Sequence, residues 1–563
     1  MDAHSVAPGS LAAACAQATN RLQSLQFARA LWNRHLDVWT SDAAVQSRIA
    51  NRLGWLSALD FVTPQLDRIA AFAESVRTMG VSHVLLLGMG GSSLAPEVMR
   101  RVLGVADGWP HFRMLDSVDP DAVRAAMDHA GSTLFILASK SGSTIEPNAM
   151  AAEAMHRLRA AGHEPGSRFV AITDEGTALH RRALDERFRD VFVNPADIGG
   201  RYSALSFFGM VPAALMGVDI QRFVRLAREM ETACRIEDAA ANPGLALGAL
   251  MAAGALHGRD KLTLLLPERL ASFGLWVEQL VAESTGKEGK GVVPITGEPA
   301  SARFGTDRTA VVVTLAGHDT PAATVDGLRE AAVPTATLSM AEPLALGAEF
   351  LRWEVATAAA GLLLDINPFD EPNVQQAKDA TRALLDVHAA QGRLPMPEPT
   401  ASLKGARLAT SNAAAGSQAA ASAFGFLTQI RDGDYFCMLA YLPPDDATFD
   451  GPLQALRSGV AGRFGCATMF GYGPRYLHST GQLHKGGANN GVFVVLTAEP
   501  TEDLAIPGEP FSFGVLELAQ GLGDFQSLDR TGRRALHVHL PRRDPDVLRA
   551  VADALLEHAV WPR

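Results

Sequence analysis

Apolar runs that break into small polar residues just before a helical pattern recur along this chain. The clearest is Leu134-Phe135-Ile136-Leu137-Ala138, followed by Ser139-Lys140-Ser141-Gly142-Ser143-Thr144 and then Ile145-Glu146-Pro147. A run this apolar reads as a strand buried on both faces, and its sequel as a loop that opens a helix. Val84-Leu85-Leu86-Leu87 repeats the pattern, running into Gly88-Met89-Gly90-Gly91-Ser92-Ser93. Further strand-like runs at 112–115, 169–172 and 191–193 are separated by helix-length segments, so positions 64 to 225 read as successive βα units. Right-handed crossovers turn such units into a doubly wound parallel sheet with helices on both faces.

The alternation continues more loosely from about 240 to 390, with strand candidates at 262–266, 310–315 and 335–338. Ahead of the first sheet, Leu22, Leu25, Phe27, Leu31 and Trp32, then Ile49, Leu53 and Leu56, have the spacing of amphipathic helices. Behind the second, Pro395, Pro397 and Pro399 mark an extended linker. Strand candidates at 435–441, 492–496 and 535–540 then give a third α/β piece. The expected division is a helical arm at 1–60, a first sheet domain at 61–235, a second at 236–390, a linker at 391–404 and a C-terminal α/β segment at 405–563.

Composition narrows the function classes. Among 563 residues, 47% are hydrophobic and 20% charged, which suits a folded chain with a large core rather than a disordered one. The formal net charge is −11 and no Lys/Arg block stands out, which argues against nucleic-acid or anionic-membrane partners. Cys15, Cys234, Cys437 and Cys466 have no CxxC spacing, which points away from zinc or disulfides and toward a reducing compartment, the cytoplasm. The beginning of the chain lacks a basic-then-apolar leader, and no apolar run reaches the roughly 18 residues of a membrane span.

Candidate chemistry gathers at the loops. Backbone N–H groups at a helix start, together with hydroxyls, favour an anion, and phosphate is the natural guest of the 139–144 loop. The 88–93 loop can face the same ligand from a neighbouring strand. Arg201 in Gly199-Gly200-Arg201-Tyr202-Ser203 can stand at the same sheet edge, where its charge would steady an oxyanion. Gln279 and Glu283, four apart on one helix face, offer a polar pair; a glutamate aimed into a pocket can act as a general base, whereas most helical glutamates are solvated. Asn367-Pro368-Phe369-Asp370 precedes a helix carrying Lys378, and His478 and His484 lie six apart in a glycine-rich stretch, a poor match for a helical metal pair.

Taken together, GMGGSS at 88–93, SKSGSTIEP at 139–147, GGRYS at 199–203, ESTGKEGKG at 283–291, NPFDEPNVQQAK at 367–378 and LHSTGQLHKGG at 477–487 resemble the phosphoglucose isomerase family of the sugar-isomerase (SIS) fold. The likeness is strongest to the isomerase portion of bifunctional transaldolase/phosphoglucose isomerases, and with no room for a transaldolase barrel that second activity is expected to be absent. The resemblance implies an α/β fold of two doubly wound SIS-type parallel-sheet domains plus the C-terminal segment. It also implies interconversion of glucose 6-phosphate and fructose 6-phosphate through an enediol(ate), without metal or redox cofactor, by a homodimer. Carried over residue by residue, Ser139, Ser141 and Thr144 hold the phosphate, Lys140 lies in the same substrate-binding loop, and Gly91 and Ser92 lie beside the sugar. Arg201 stabilises the enediolate, Gln279 orients substrate, and Glu283 shuttles the proton. Lys378 lies near the ring oxygen, and His478, with Gln482 four residues on, opens the ring.

Two departures from the family pattern stand out. The ring-opening histidine normally falls between the glutamate and the lysine, but the only histidine there is His318, which lacks the motif. The assignment therefore goes to His478 of the C-terminal segment, reaching a site in its own chain or in a partner. Glu371 stands where glutamine is usual. Other readings are a non-catalytic sugar-phosphate sensor, which would need the loops but not Glu283, and an isomerase that also takes mannose 6-phosphate. A dinucleotide-binding oxidoreductase is disfavoured, because Ser93 replaces the third glycine of the fingerprint.

Overall fold

The computed structural model of the chain describes residues 4–299, 302–416, 422–444 and 446–559. A short strand, β1 (His4–Ala7), is followed by helices that end with Leu66–Arg77. The first sheet then comprises β2 (His83–Leu87), β3 (His111–Leu115), β4 (Thr133–Ala138), β5 (Phe169–Asp174) and β6 (Asp190–Asn194), all parallel in the order β3-β2-β4-β5-β6. Every residue of β4 is buried, as its unbroken apolar run requires. Strand order reverses between β2 and β4, so a crevice opens at their carboxyl ends, where the 88–93 and 139–144 loops emerge.

The second sheet comprises β7 (Lys261–Leu265), β8 (Val293–Ile295), β9 (Arg308–Leu315) and β10 (Thr335–Met340) in parallel, and β1 closes its edge antiparallel to β10. The N-terminal residues, expected to be helical throughout, thus also give a strand. Four residues of alternating burial are too few to announce a period in the sequence, and what fixes them is the open edge of β10.

The C-terminal sheet has strands β11 (Ala401–Leu403), β12 (Ala406–Thr410), β13 (Tyr435–Tyr441), β14 (Ala467–Tyr472), β15 (Gly491–Ala498) and β16 (Arg534–Leu540), ordered β11-β12-β16-β15-β13-β14. Its parallel core carries the antiparallel pair β11-β12 on one edge. The chain is therefore α/β, with two doubly wound parallel sheets and a C-terminal α/β segment. β11 starts within residues read as linker, and β14 escaped notice because its second half is only half-buried and contains Gly471.

A helix buried along its whole length, Leu346–Leu363, packs against Pro243–Leu256 and Ile220–Cys234 and joins the first two units in one core. Tyr476, Leu477 and Leu483 of the C-terminal segment share a smaller core with Ala282, Val293, Ile295 and Ala377. Burial of this kind stabilises by roughly 25 cal/mol per Å² of apolar surface, and this patch docks the 475–487 stretch beside the first sheet's carboxyl edge. Among the described residues, no helix is long and apolar enough to cross a membrane.

Candidate functional site

The loop after β4 folds on itself. The Gly142 N–H donates to Ser139 Oγ at 3.1 Å, Ser139 Oγ lies 3.3 Å from Thr144 Oγ1, and Ser141 Oγ lies 3.0 Å from Ser143 Oγ. Thr144 precedes the helix Ile145–Ala160 in an extended conformation with no side-chain cap hydrogen bond, so the first N–H groups stay free for an anion. Lys140 Nζ is tied to Asp174 and to the carbonyl of Ala196. The loop after β2 lies against the loop after β6: a Cβ at Gly91 would stand 2.0 Å from the carbonyl oxygen of Gly200. Only glycine permits that approach.

Those loops form one wall of a cavity of about 470 Å³. The residues given catalytic or substrate-binding roles from the resemblance line it: Gly91, Ser92, Ser139, Lys140, Ser141, Thr144, Arg201, Gln279, Glu283, Lys378 and His478. They come from six separate stretches of the chain. The helix Phe273–Thr285 is buried on both sides of Gln279 and Glu283, which fixes their rotation toward the cavity. The helix Val374–Gln391 brings Lys378 to the cavity with its side chain exposed. The short helical turn Arg475–His478, after β14, delivers His478 from the same chain.

Electrostatics differ sharply around this wall. Arg201 is buried and fully engaged: Nε donates to Ser284 Oγ at 2.7 Å, and Nη2 to the carbonyls of Pro368 and Asp370 at 2.8 and 3.0 Å. Its Nη1 faces Glu371 Oε2 at 3.0 Å and Glu283 Oε1 at 3.6 Å. Burial pushes the Glu283 carboxyl up to about 7, the Arg201 charge opposing and the Glu371 charge adding to the rise. Gln279 Nε2 donates to the His478 carbonyl at 2.7 Å and to Glu283 Oε2 at 3.3 Å, while its own Oε1 is buried without a partner. His478 Nε2 lies 2.8 Å from Glu146 Oε1, which also accepts from Gln520 Nε2 at 2.7 Å. Burial alone would raise the Glu146 carboxyl, but the His478 ring facing it, the backbone N–H of Glu146 itself and the Lys378 charge together hold it below the ordinary range.

Several of these residues were not picked out from the sequence. Glu146 sat inside a motif without an assigned role, although a carboxylate just past a phosphate-type loop was a usable signal. Asn51 and Arg52 reach the cavity from the N-terminal helices, and nothing local in the sequence announces this. Gln482 stands behind the cavity wall rather than on it, its Nε2 bridging Gly286 and Asn373. His484 is a core histidine among Tyr435, Tyr476 and Phe493, held neutral by burial. His318 lies apart, on a larger cavity of about 1120 Å³ at the carboxyl edge of the second sheet.

Residues 59–312 match the phosphoglucose isomerase family. The glucose-6-phosphate isomerase of Prochlorococcus marinus (strain MIT 9313) is 30% identical over 380 residues, spanning 59% of this chain and 69% of that protein. That of Citrifermentans bemidjiense is 28% identical over 404 residues, 62% of this chain and 76% of that protein. Among solved structures, a glucose-6-phosphate isomerase from Chlamydia trachomatis superposes with a TM-score of 0.50 at 20% identity, covering 58% of this chain and 74% of that one. A hypothetical protein from Thermus thermophilus gives 0.59 at 24% identity, covering 68% and 99%. Fold and matches together define an enzyme of the SIS-fold isomerase class. The chain belongs to the phosphoglucose isomerase family.

Proposed function

We propose that the chain interconverts D-glucose 6-phosphate and D-fructose 6-phosphate through a cis-enediol(ate), with Glu283 as the base. The observation that carries this reading is the buried Glu283 carboxyl, held near pH 7 at the cavity wall, 3.6 Å from the Arg201 guanidinium. A base whose proton affinity matches the working pH is what a C–H abstraction at neutral pH asks for.

The steps follow from the groups. Ser139, Ser141, Thr144 and the free N–H groups of the helix start take the phosphate, with Lys140 adding charge nearby and Gly91 and Ser92 flanking the sugar. His478, oriented by Glu146, donates to the ring oxygen and takes up the anomeric hydroxyl proton, so the ring opens with no net proton change; Lys378 lies beside that oxygen. Glu283 removes the C2 proton of the open aldose while the carbonyl oxygen becomes an enediolate oxygen facing Arg201. The proton returns to C1 while the O2 hydroxyl proton passes to O1, so hydroxyl and carbonyl exchange places and the ketose results. Gln279, with one oxygen free, orients the hydroxyls.

An assay of fructose 6-phosphate conversion to glucose 6-phosphate tests the reading, with EDTA present. Turnover by the wild type supports a metal-free isomerase; binding without turnover would hand the chain to the sensor reading. Sedimentation velocity checks the accompanying expectation of a homodimer, and cell fractionation that of a cytoplasmic enzyme.

A further inference from the structure

Arg201 commits three of its contacts to scaffold atoms, the Ser284 hydroxyl and the carbonyls of Pro368 and Asp370. Its remaining nitrogen, Nη1, faces two carboxylates at once, and the nearer is not the base: Glu371 Oε2 stands at 3.0 Å, Glu283 Oε1 at 3.6 Å. The loop 367–373 that presents Glu371 is itself fixed, since Lys287 Nζ holds Asp370 Oδ1 at 2.9 Å and the Asn373 N–H donates to Gln482 Oε1 at 2.8 Å. Glu371 therefore places an additional negative charge beside Glu283.

We infer that Glu371 is a positioning residue that makes Glu283 a stronger base: by taking the shorter contact with Nη1 of Arg201 it draws the guanidinium away from Glu283 and adds its own repulsion. This rests on the reading of Glu283 as the proton shuttle. The other charged groups facing Glu283 are His478, from the C-terminal segment, and Lys287, on the loop that follows the Glu283 helix; both favour its ionised form. Against Arg201, His478 and Lys287, Glu371 sets a negative charge that favours the protonated form. Removing a like charge lowers a carboxyl's proton affinity, so the form able to accept a proton persists to lower pH, but each acceptance is weaker. The same carboxylate, with 36% of its side chain exposed at the cavity, also opposes entry of an anionic substrate.

Glu371→Gln keeps an oxygen to accept from Nη1 and removes only the charge. For fructose 6-phosphate, the acidic limb of kcat/KM is expected to move down by about half to one pH unit, a partly exposed neighbour giving less than a buried one. KM is expected to fall, and kcat on the plateau to drop by roughly threefold from the weaker base. Glu371→Asp, which keeps the charge, is expected to leave the acidic limb nearer the wild-type position. An acidic limb unmoved in Glu371→Gln would overturn the inference. Retained turnover in Glu283→Gln would instead overturn the underlying assignment of the base, whatever Glu371→Gln does, so the two failures are distinct.

Discussion

The helix Phe273–Thr285 carries two buried glutamates into two different cavities. Glu278 and Glu283 are 6% and 8% exposed, and burial lifts both carboxyls to about 7. Five residues apart on a 3.6-residue repeat, they point to different sides of the helix. Glu278 Oε1 accepts from Thr296 Oγ1 at 2.8 Å, with Arg457 beyond, and lines the cavity of about 1120 Å³. Glu283 meets Arg201, Gln279 and the hydroxyl-rich loop in the cavity of about 470 Å³. Equal burial and similar proton affinity therefore do not by themselves assign a role. What separates the two is a phosphate-type loop and a guanidinium converging on one of them, and cavity size points to the other.

Substitution of each glutamate by glutamine tests that contrast most directly. Glu283→Gln is expected to lower kcat by roughly a thousandfold or more with sugar-phosphate binding kept, since the carboxylate acts in the transition state. Glu278→Gln is expected to leave kcat within about twofold, as a residue remote from the reacting atoms should. Equal losses in the two variants would remove the distinction. Stability separates them from the other direction. The folded-state carboxyl of Glu278 holds its proton more tightly than in the unfolded chain, so folding stability declines as pH rises from about 4.5 through about 7. Glu278→Gln relieves that cost: it is expected to stabilise the protein at pH 8 by up to about 3 kcal/mol and to change little at pH 4.5, by urea unfolding at both values.

How much of this was legible in the sequence follows from the range of the contacts. Within the 139–144 loop the Ser139 hydroxyl reaches Gly142 and Thr144, so an apolar run followed by hydroxyls was enough to find it, although the loop is also anchored to Ile172, Asp174 and Ala196 beyond it. The parallel sheets were legible for the same reason, since strands buried on both faces leave unbroken apolar runs. Glu278 and Glu283, by contrast, look alike in sequence, and it took the motif around Glu283 to prefer it. His478 depends on Glu146, 332 positions away, and on Gln520 beyond it, a placement no local pattern encodes. β1, β8, β11, β12 and β14 were missed because they are short or take their identity from the strand beside them rather than from their own residues.

The reach of the C-terminal segment gives the next prediction. If His478 orients on Glu146 and opens the ring, His478→Ala is expected to lower turnover on the cyclic sugar by about tenfold to a hundredfold, the usual range for losing an acid/base group. A substrate supplied mainly in open-chain form should lose less. Glu146→Gln, which keeps the shape but not the charge, is expected to fall between His478→Ala and wild type, because it leaves the ring nitrogen without its anionic partner. A wild-type rate in His478→Ala would move ring opening to another group and leave the isomerase reading standing.

The smallest effect concerns charge at the mouth of the smaller cavity. Lys140 is already paired with Asp174, so its charge is partly spent before a phosphate arrives, whereas Arg52 lines the same cavity, donates to the neighbouring Asn51 carbonyl at 3.0 Å and acts on Asp174 only at longer range. Arg52→Ala is therefore expected to raise KM for the sugar phosphate by about fivefold, roughly 1 kcal/mol for a half-exposed charge contact, with kcat unchanged. The penalty should shrink as salt rises, because screening weakens the wild-type contact but has nothing to act on in the variant. Arg269 lines the larger cavity instead, and Arg269→Ala is expected to leave KM as it was. A matching rise in both would mean that the phosphate is drawn by the overall field of the protein and not by the one cavity in which Glu283 stands.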